Sequence, residues 1–430
     1  MKLRNIIPAL LLSAMTILSG CGEKKEIPTP TPAETDTTSV KTVLAYLVAE
    51  NKLGSELYLG DDMNEMLMGV MTSKNMTPND NFILYVDDTK LPRIYNITTA
   101  YKDSSYLSVN LLTPEYTFPT DCNSASPEQL KAVMDYVVKH HPSDTYSAVF
   151  ASHASGWLEP PVKNGNNKAK NRSFGLDNGH NQLSDYGDEM AIEDMANVLK
   201  QYKKMDFILF DACFMQCVEV DYMLKDVADY IIASPAEIPG YGADYATLVD
   251  YLYKSGEEAA KDIAKRYVDT YLERKLCTSQ HSGTCGAIMS TVKTSMVEPF
   301  AAYMKTVVDA HKDALLAVVA DESHMDYFLF DGYYRNKYPD YFDIQYLMNE
   351  VMSDEELAQF HKEIDKIVIA KYNTDYWWTV FGYSDHRRVK VDEFGGMSMF
   401  IPMGKYARYG FDYAEQYMRT VWGQKVWGAL

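Results

Sequence analysis

The chain has 430 residues, a formal net charge of −19 and a pI near 4.9. Such an acidic, aromatic-rich chain repels phosphate, so nucleic acid is excluded as an expected partner. The charge suits solubility outside the cell and attraction for basic substrates.

Lys2 and Arg4 precede an apolar run, Ile6 to Leu18, that is too short for a membrane span and fits an export signal. Leu18-Ser19-Gly20-Cys21 then resembles a bacterial lipobox. It implies a lipoprotein signal peptide over 1–20, lipidation of Cys21, and export to the periplasmic or cell-surface face of a bacterial membrane. Residues 21–42 are rich in Lys, Glu, Pro and Thr without apolar periodicity, which makes them a flexible tether.

About 390 residues remain, enough for a large domain with an appendage or for two domains. Thr42–Val48 reads as a buried strand, and the spacing of Leu57, Leu59, Met63, Met66, Leu67 and Val70 as a helix over Gly54–Met71. Phe82–Val86 and Arg93–Thr98 read as strands, and Pro127–Lys139, opened by Ser126-Pro127, as an amphipathic helix. Tyr146–Ser152, Phe207–Phe210 and Tyr230–Ser234 are further apolar strands. They alternate with helices over Met190–Tyr202, Val218–Leu224, Tyr245–Lys254 and Glu257–Leu276.

This alternation, with strands apolar throughout, predicts an α/β layer whose sheet is mostly parallel and covered on both faces. From about Ser290 the pattern loosens into two helices, Glu298–Val319 and Asp354–Lys371, and an aromatic-rich end. The expected division is a main domain over 43–290 and a smaller α+β subdomain over 291–430. Trp377, Trp378, Trp422 and Trp427 read as core residues of that end.

The chain has six cysteines, and lipidation of Cys21 would leave five, hence at least one free thiol in an oxidising compartment. Cys277 and Cys285 are a candidate disulfide. Cys213 and Cys217 are spaced CxxxC, which is neither a redox motif nor a zinc knuckle.

Two strand ends carry candidate chemistry. YSAVFAS leads into His153-Ala154-Ser155-Gly156-Trp157, and FILF into Asp211-Ala212-Cys213-Phe214-Met215. Sites in parallel α/β sheets form beyond the carboxyl ends of strands, so His153 and Cys213 could meet if their strands are neighbours. An imidazole that takes the thiol proton makes the sulfur a competent nucleophile and can then protonate a leaving amine. Backbone N–H groups of Ala154 and Cys213 would serve the oxyanion. A helix expected from about Phe214 would turn its positive end to the thiolate. Taken singly, each residue has a plainer reading, as a buried small hydrophobe or as a hydrogen-bonded surface histidine.

These two segments resemble the signatures of clostripain-family cysteine peptidases. Four other stretches share the resemblance: VLAYLVAEN (43–51), FGLDNG (174–179), ASPAEIPGYGADY (233–245) and GGMSMFIP (395–402). The resemblance implies a three-layer α/β/α caspase-like fold and cleavage of protein or peptide substrates after Arg or Lys. It makes Cys213 the nucleophile and His153 the acid/base. Asp211 would line the specificity pocket, with Asp244 as a second candidate; the alternative for Asp211 is a strand-end helix cap. The family has Gly after the histidine where this chain has Ala154, which would strain a turn needing positive φ.

Activation in the family involves self-cleavage between the catalytic His and Cys. Here that interval holds a basic loop with Lys163, Lys168, Lys170 and Arg172, and cleavage is expected after Lys168, Lys170 or Arg172. The expected form is a monomer or a self-cleaved two-chain product. No cofactor is indicated by the residues. The resemblance implies a possible calcium requirement without placing a site; Asp61-Asp62 and Asp185–Glu189 offer oxygen ligands but no EF-hand spacing. His140-His141 reads as a helix end rather than a metal site. The alternative to an active peptidase is a catalytically impaired relative that acts as a surface binding protein.

Overall fold

Strand β1 (Lys41–Val48) shows why the sheet is covered on both sides. All eight of its positions are buried. Leu44, Tyr46 and Val48 enter one apolar core, while Val43, Ala45 and Leu47 enter another. Successive side chains of a strand point to opposite faces, so an unbroken apolar run has to have packing on each.

The computed structural model describes residues 40–98, 108–158, 173–179, 187–274, 286–320, 341–374, 394–402 and 413–428. After β1 come β2 (Asn81–Asp87), β3 (Arg93–Asn96), β4 (Tyr116–Thr117), β5 (Thr145–Ala151), β6 (Phe174–Asp177) and β7 (Asp188–Met190). They are followed by β8 (Met205–Asp211), β9 (Ala228–Ala233), β10 (Ile288–Lys293), β11 (Phe342–Asp343), β12 (Val368–Asn373) and β13 (Ser398–Met399). Among the described residues nine strands form one sheet in the order β12-β10-β9-β8-β5-β1-β2-β3-β4. Its centre, β9 through β2, is parallel, and both edges are antiparallel.

The helices are α1 (Lys52–Ser55), α2 (Tyr58–Thr72), α3 (Pro127–His140), α4 (Ile192–Leu199), α5 (Val218–Leu224), α6 (Tyr245–Leu252), α7 (Gly256–Glu273), α8 (Val297–Ala320), α9 (Ile344–Val351), α10 (Asp354–Ile367) and α11 (Tyr413–Arg419). α2, α6 and α7 fill one core; α3, α4, α5, α8, α9 and α10 fill the other. The result is the expected three-layer α/β/α arrangement, within one unit spanning Ser39–Leu430. Residue 290, the expected boundary, lies inside β10, and the later strand β12 pairs with β10. Trp422 and Trp427 are buried in the core, while Trp377 and Trp378 lie outside the described residues.

Local signals explain the ends of some helices. Ser126 caps α3 by accepting from the Gln129 amide, Pro127 opens it, and Lys139 and His140 close it. The helix expected over Gly54–Met71 is divided, because Leu57 takes a left-handed φ of 68° between α1 and α2. The helix expected over Asp354–Lys371 stops at Ile367. The residues that follow gain more by pairing with the edge of β10 than by another helical turn, and they become β12. Tertiary pairing overrides propensity there.

The chain's last third reaches back under the middle of the sheet. Glu219 of α5 accepts from the Phe400 amide and the Tyr417 hydroxyl, each at 3.0 Å. Asp343 accepts from the amides of Tyr346 and Gly395 at 2.9 and 2.8 Å. Burial raises both carboxyls, each to about 7. Between their ordinary values and about 7 the folded state therefore holds protons that the unfolded chain has released. Stability falls as pH rises through that window and levels off above it. We expect the melting temperature to fall between pH 5 and 7.5, each group contributing a slope of at most about 1.4 kcal/mol per pH unit. Melting of Glu219→Gln across the same range should give a shallower slope, and an unchanged one would overturn the assignment.

Candidate active site

Strands β5 and β8 are parallel neighbours, and Ala151 stands opposite Asp211 in their register. His153 and Cys213 each lie two residues beyond that pair. They therefore leave adjacent strands at the same height, at the carboxyl edge of the sheet where α/β sites form.

The loops beyond these strands are held against each other. Gly156 has φ of 61°, and a Cβ there would stand 2.7 Å from the Phe214 carbonyl oxygen and 3.1 Å from the Tyr341 ring. Only a residue without a side chain allows that approach. The Tyr341 hydroxyl donates to the Ser155 carbonyl, and its ring stacks on Phe214 at 4.8 Å with 10° between planes. Trp157 is buried against Phe400 and Tyr417 at 4.7 and 5.0 Å.

Cys213 is half-buried, and its Sγ accepts a hydrogen bond from the Ile238 amide at 3.3 Å. A backbone N–H aimed at sulfur favours negative charge there. The turn carrying Cys213 is fastened to the 234–238 segment, with the Phe214 amide on the Ala236 carbonyl and the Gln216 amide on the Ser234 carbonyl, both at 3.0 Å. Helix α5 begins at Val218, not near Phe214 as expected, so a helix end does not abut the sulfur. Phe214 instead takes φ of 61°, a left-handed conformation that no helix accommodates. The Ile238 amide takes the place assigned to the helix end.

Ala154 pairs with Phe174 in an isolated bridge. That bridge uses the Ser155 amide, on Ser173 at 3.1 Å, and the His153 carbonyl, which accepts from Gly175 at 2.9 Å. The N–H of Ala154 is therefore not spent in it. Among the described residues Leu57 and Phe214 are the non-glycines with positive φ, so Ala154 carries no left-handed strain. The strain expected at the residue after the histidine lies at the residue after the cysteine.

Asp211 is buried and fully engaged by its own chain. Oδ2 accepts from the Ala243 amide at 2.9 Å and the Tyr245 hydroxyl at 2.8 Å, and Oδ1 from the Tyr267 hydroxyl at 2.7 Å. Burial pushes its carboxyl upward, and these three donors oppose the shift. Asp211 thereby fixes the loop that runs back to Ile238. Asp244 lies nearby in that loop, with Oδ2 on Arg274 at 2.7 Å and on the Thr247 hydroxyl at 3.0 Å. Asp62 is buried beside Asp211, and Glu65 accepts from the Tyr245 amide at 3.0 Å.

A model of the clostripain family matches residues 45–427. The chain belongs to the clostripain family. It is 27% identical over 235 residues to clostripain of Hathewaya histolytica, a stretch covering 50% of this chain and 42% of that protein, so the chain spans less than half of that relative's length. A secreted C11 cysteine protease of Bacteroides thetaiotaomicron, solved with an irreversible peptide inhibitor, is 26% identical with a TM-score of 0.69. The match covers 91% of this chain and 100% of that one. An inactive zymogen C11 protease of Parabacteroides distasonis shares the fold at 24% identity and a TM-score of 0.64, over 90% and 99% of the two chains. The caspase-like architecture expected from the resemblance is the one observed.

Several expected positions fall outside the described residues: Cys21, the loop residues Lys168, Lys170 and Arg172, the Cys277 and Cys285 pair, and Asp185. His141 pairs with Glu115 at 2.7 Å and His140 stacks on Tyr136, as helix-end residues do. Sequence reasoning missed the Ile238 amide and Tyr341. It also missed a buried carboxylate group, Glu50, Asp87 and Asp177, although Asp87 and Asp177 each end an otherwise apolar strand.

In a clostripain-family site built on backbone contact between two loops, Gly156→Ala should separate them. The expected loss is about 1–3 kcal/mol of stability from the left-handed φ, with alkylation of Cys213 slowed in the still-folded protein. Unaltered alkylation kinetics would show that the loops need no such contact.

Proposed function

We propose that this protein is an exported cysteine endopeptidase that cleaves after Arg or Lys through a Cys213–His153 dyad. The observation that carries this reading is the β5–β8 register, which starts both residues two positions beyond the paired ends of neighbouring strands. In the reaction, His153 takes the thiol proton and Cys213 Sγ bonds to the scissile carbonyl carbon. Amides of Ala154 and Cys213 donate to the oxyanion. The amine leaves with the proton from His153, and water, deprotonated by the same imidazole, hydrolyses the thioester and restores the thiol.

Preference for a basic side chain is supported by the concentration of Asp62, Glu65, Asp211 and Asp244 beside the nucleophile loop. A guanidinium already rests on Asp244, that of Arg274, which is half exposed. Arg suits such a site because its planar fork matches a carboxylate. Since Asp211 is engaged by three donors of its own chain, Asp244 is the better placed of the two to meet a substrate cation.

Maturation would proceed by self-cleavage after Lys168, Lys170 or Arg172, giving a two-chain form. Lipidation of Cys21 would tether the enzyme to a membrane. Among the described residues no helix is long and apolar enough to cross a membrane.

Two measurements test the proposal. Arg and Lys ester or amide substrates should be hydrolysed by the wild type and left intact by Cys213→Ala, which should also stay a single chain. Hydrolysis surviving the substitution would remove Cys213 from the mechanism. Asp244→Asn should raise KM for Arg and Lys substrates about tenfold or more with little change in kcat, the pattern of a lost charged contact made equally in ground and transition states. Asp211→Asn should act mainly by lowering the melting temperature. The reverse pattern would assign the pocket to Asp211.

A further inference from the structure

Tyr241 stands largely in solvent, 60% exposed, and the reaction just described does not use it. It lies beside the Cys213 turn all the same. The Ile238 amide donates to Cys213 Sγ, and the chain then runs through Pro239 and Gly240 to Tyr241. Three residues of chain span at most about 11 Å, so Tyr241 stays within that reach of the residue on the sulfur. The Gly242 amide closes the turn on the Pro239 carbonyl at 2.9 Å. Gly242 itself has φ of 56°, and a Cβ there would stand 2.6 Å from Asp211 Oδ2. The turn is thus held to the site at both ends, with its aromatic tip outside.

Helix α2 supplies a second ring. A Cβ at Gly240 would stand 3.0 Å from the ring of Tyr58, which therefore lies close on bare backbone. Tyr241 meets Tyr58 edge to face, with centroids 5.8 Å apart and 86° between planes. Tyr58, Asp62 and Glu65 recur at the spacing of one helix face. Their contacts show where that face points. Tyr58 meets Gly240, Asp62 lies beside Asp211, and Glu65 accepts from the Tyr245 amide at 3.0 Å. One face of α2 therefore lines both the acidic group and the tyrosine corner.

The start of α2 is set at a cost. Leu57, just before Tyr58, holds a left-handed φ of 68° while 66% exposed, and it makes no side-chain cap bond. A bulky left-handed residue is unfavourable, and burial does not offset it here. That turn ends α1, opens α2 at Tyr58 and so brings the ring over Gly240.

We propose that Tyr58 and Tyr241 form a substrate subsite for an aromatic or large aliphatic side chain, within two residues of the cleaved bond. Side chains on one side of an extended peptide are about 7 Å apart, which falls within the reach of the 238–241 turn. Two rings at right angles offer a face and an edge to an apolar side chain. The carboxylates lie further along α2. The subsite rests on the reading of Cys213 as nucleophile and narrows its substrates to chains that carry an apolar residue near the basic one.

The test is hydrolysis by the full chain of peptides with Arg at the cleaved bond and Phe, Leu, Lys or Ala at each of the two positions on either side. At one position kcat/KM for Phe and Leu should exceed that for Ala about tenfold or more. Tyr241→Ser, which should melt as the parent does, should bring that ratio near one, and Tyr241→Phe should keep it. Where no peptide is hydrolysed, the same ratio is read from binding to the Cys213→Ala chain by fluorescence polarisation. Equal values for Phe and Ala at all four positions, or a ratio that Tyr241→Ser leaves unchanged, would overturn the subsite. A preference for Lys at that position, lost in Tyr241→Ser, would give the rings to a cation and overturn the apolar occupant. A Phe preference that persists when Ala replaces Arg at the cleaved bond without loss would remove the basic specificity and leave the subsite standing. Hydrolysis by Cys213→Ala would remove the nucleophile alone.

Discussion

The parallel register of β5 against β8 is the constraint on which the site depends. A strand fixes where its last residue ends but not what the next two residues do, so equal height alone is not enough. Here the next residues have nowhere else to go. The His153 loop is trapped between β6 and the Phe214 turn, and that turn is fastened to residues 234–238 by two backbone bonds. Geometry that a flexible pair would lose to entropy is set by main chain on every side. The glycine at 156 and the left-handed Phe214 are the local concessions that make such close backbone contact possible.

Asp211 illustrates how one residue can read as two things. In the sequence it is an acid two places before Cys213, and a buried carboxylate there suggests a partner for a basic substrate. In the fold it is the hub for Tyr245, Tyr267 and the Ala243 amide, and so for the loop that delivers the Ile238 amide to the sulfur. Its lone pairs are largely taken. Asp244 is buried as well, with one carboxylate oxygen on the half-exposed Arg274 and on the Thr247 hydroxyl.

Much of this was legible in the chain. The central strands read correctly because they are apolar on both faces, and a short run of that kind is satisfied only inside a sheet with packing on each side. Val218–Leu224 was legible as a helix, yet the stretch before it was not, since a left-handed Phe is imposed by Ala236 and Tyr341, residues remote in sequence. The break at Leu57 and the conversion of Val368–Asn373 to a strand share that origin, because both are decided by contacts outside any local window. The carboxylate group escaped notice for a related reason. Its members sit 37 and 90 positions apart in the sequence, and only the sheet brings them together.

The bond from the Phe400 amide to Glu219 crosses 181 positions of sequence. A ribosome finishes the Cys213 turn long before it makes the segment that supports it. Ser398 lies against Gln216 and Cys217, and Trp157 rests on Phe400, so both halves of the site wait for the same late residues. A chain still being synthesised holds its histidine and its cysteine without the foundation that aligns them. Two loops far apart in sequence are thus braced by one later segment, and neither gains that brace until the segment has packed against α5.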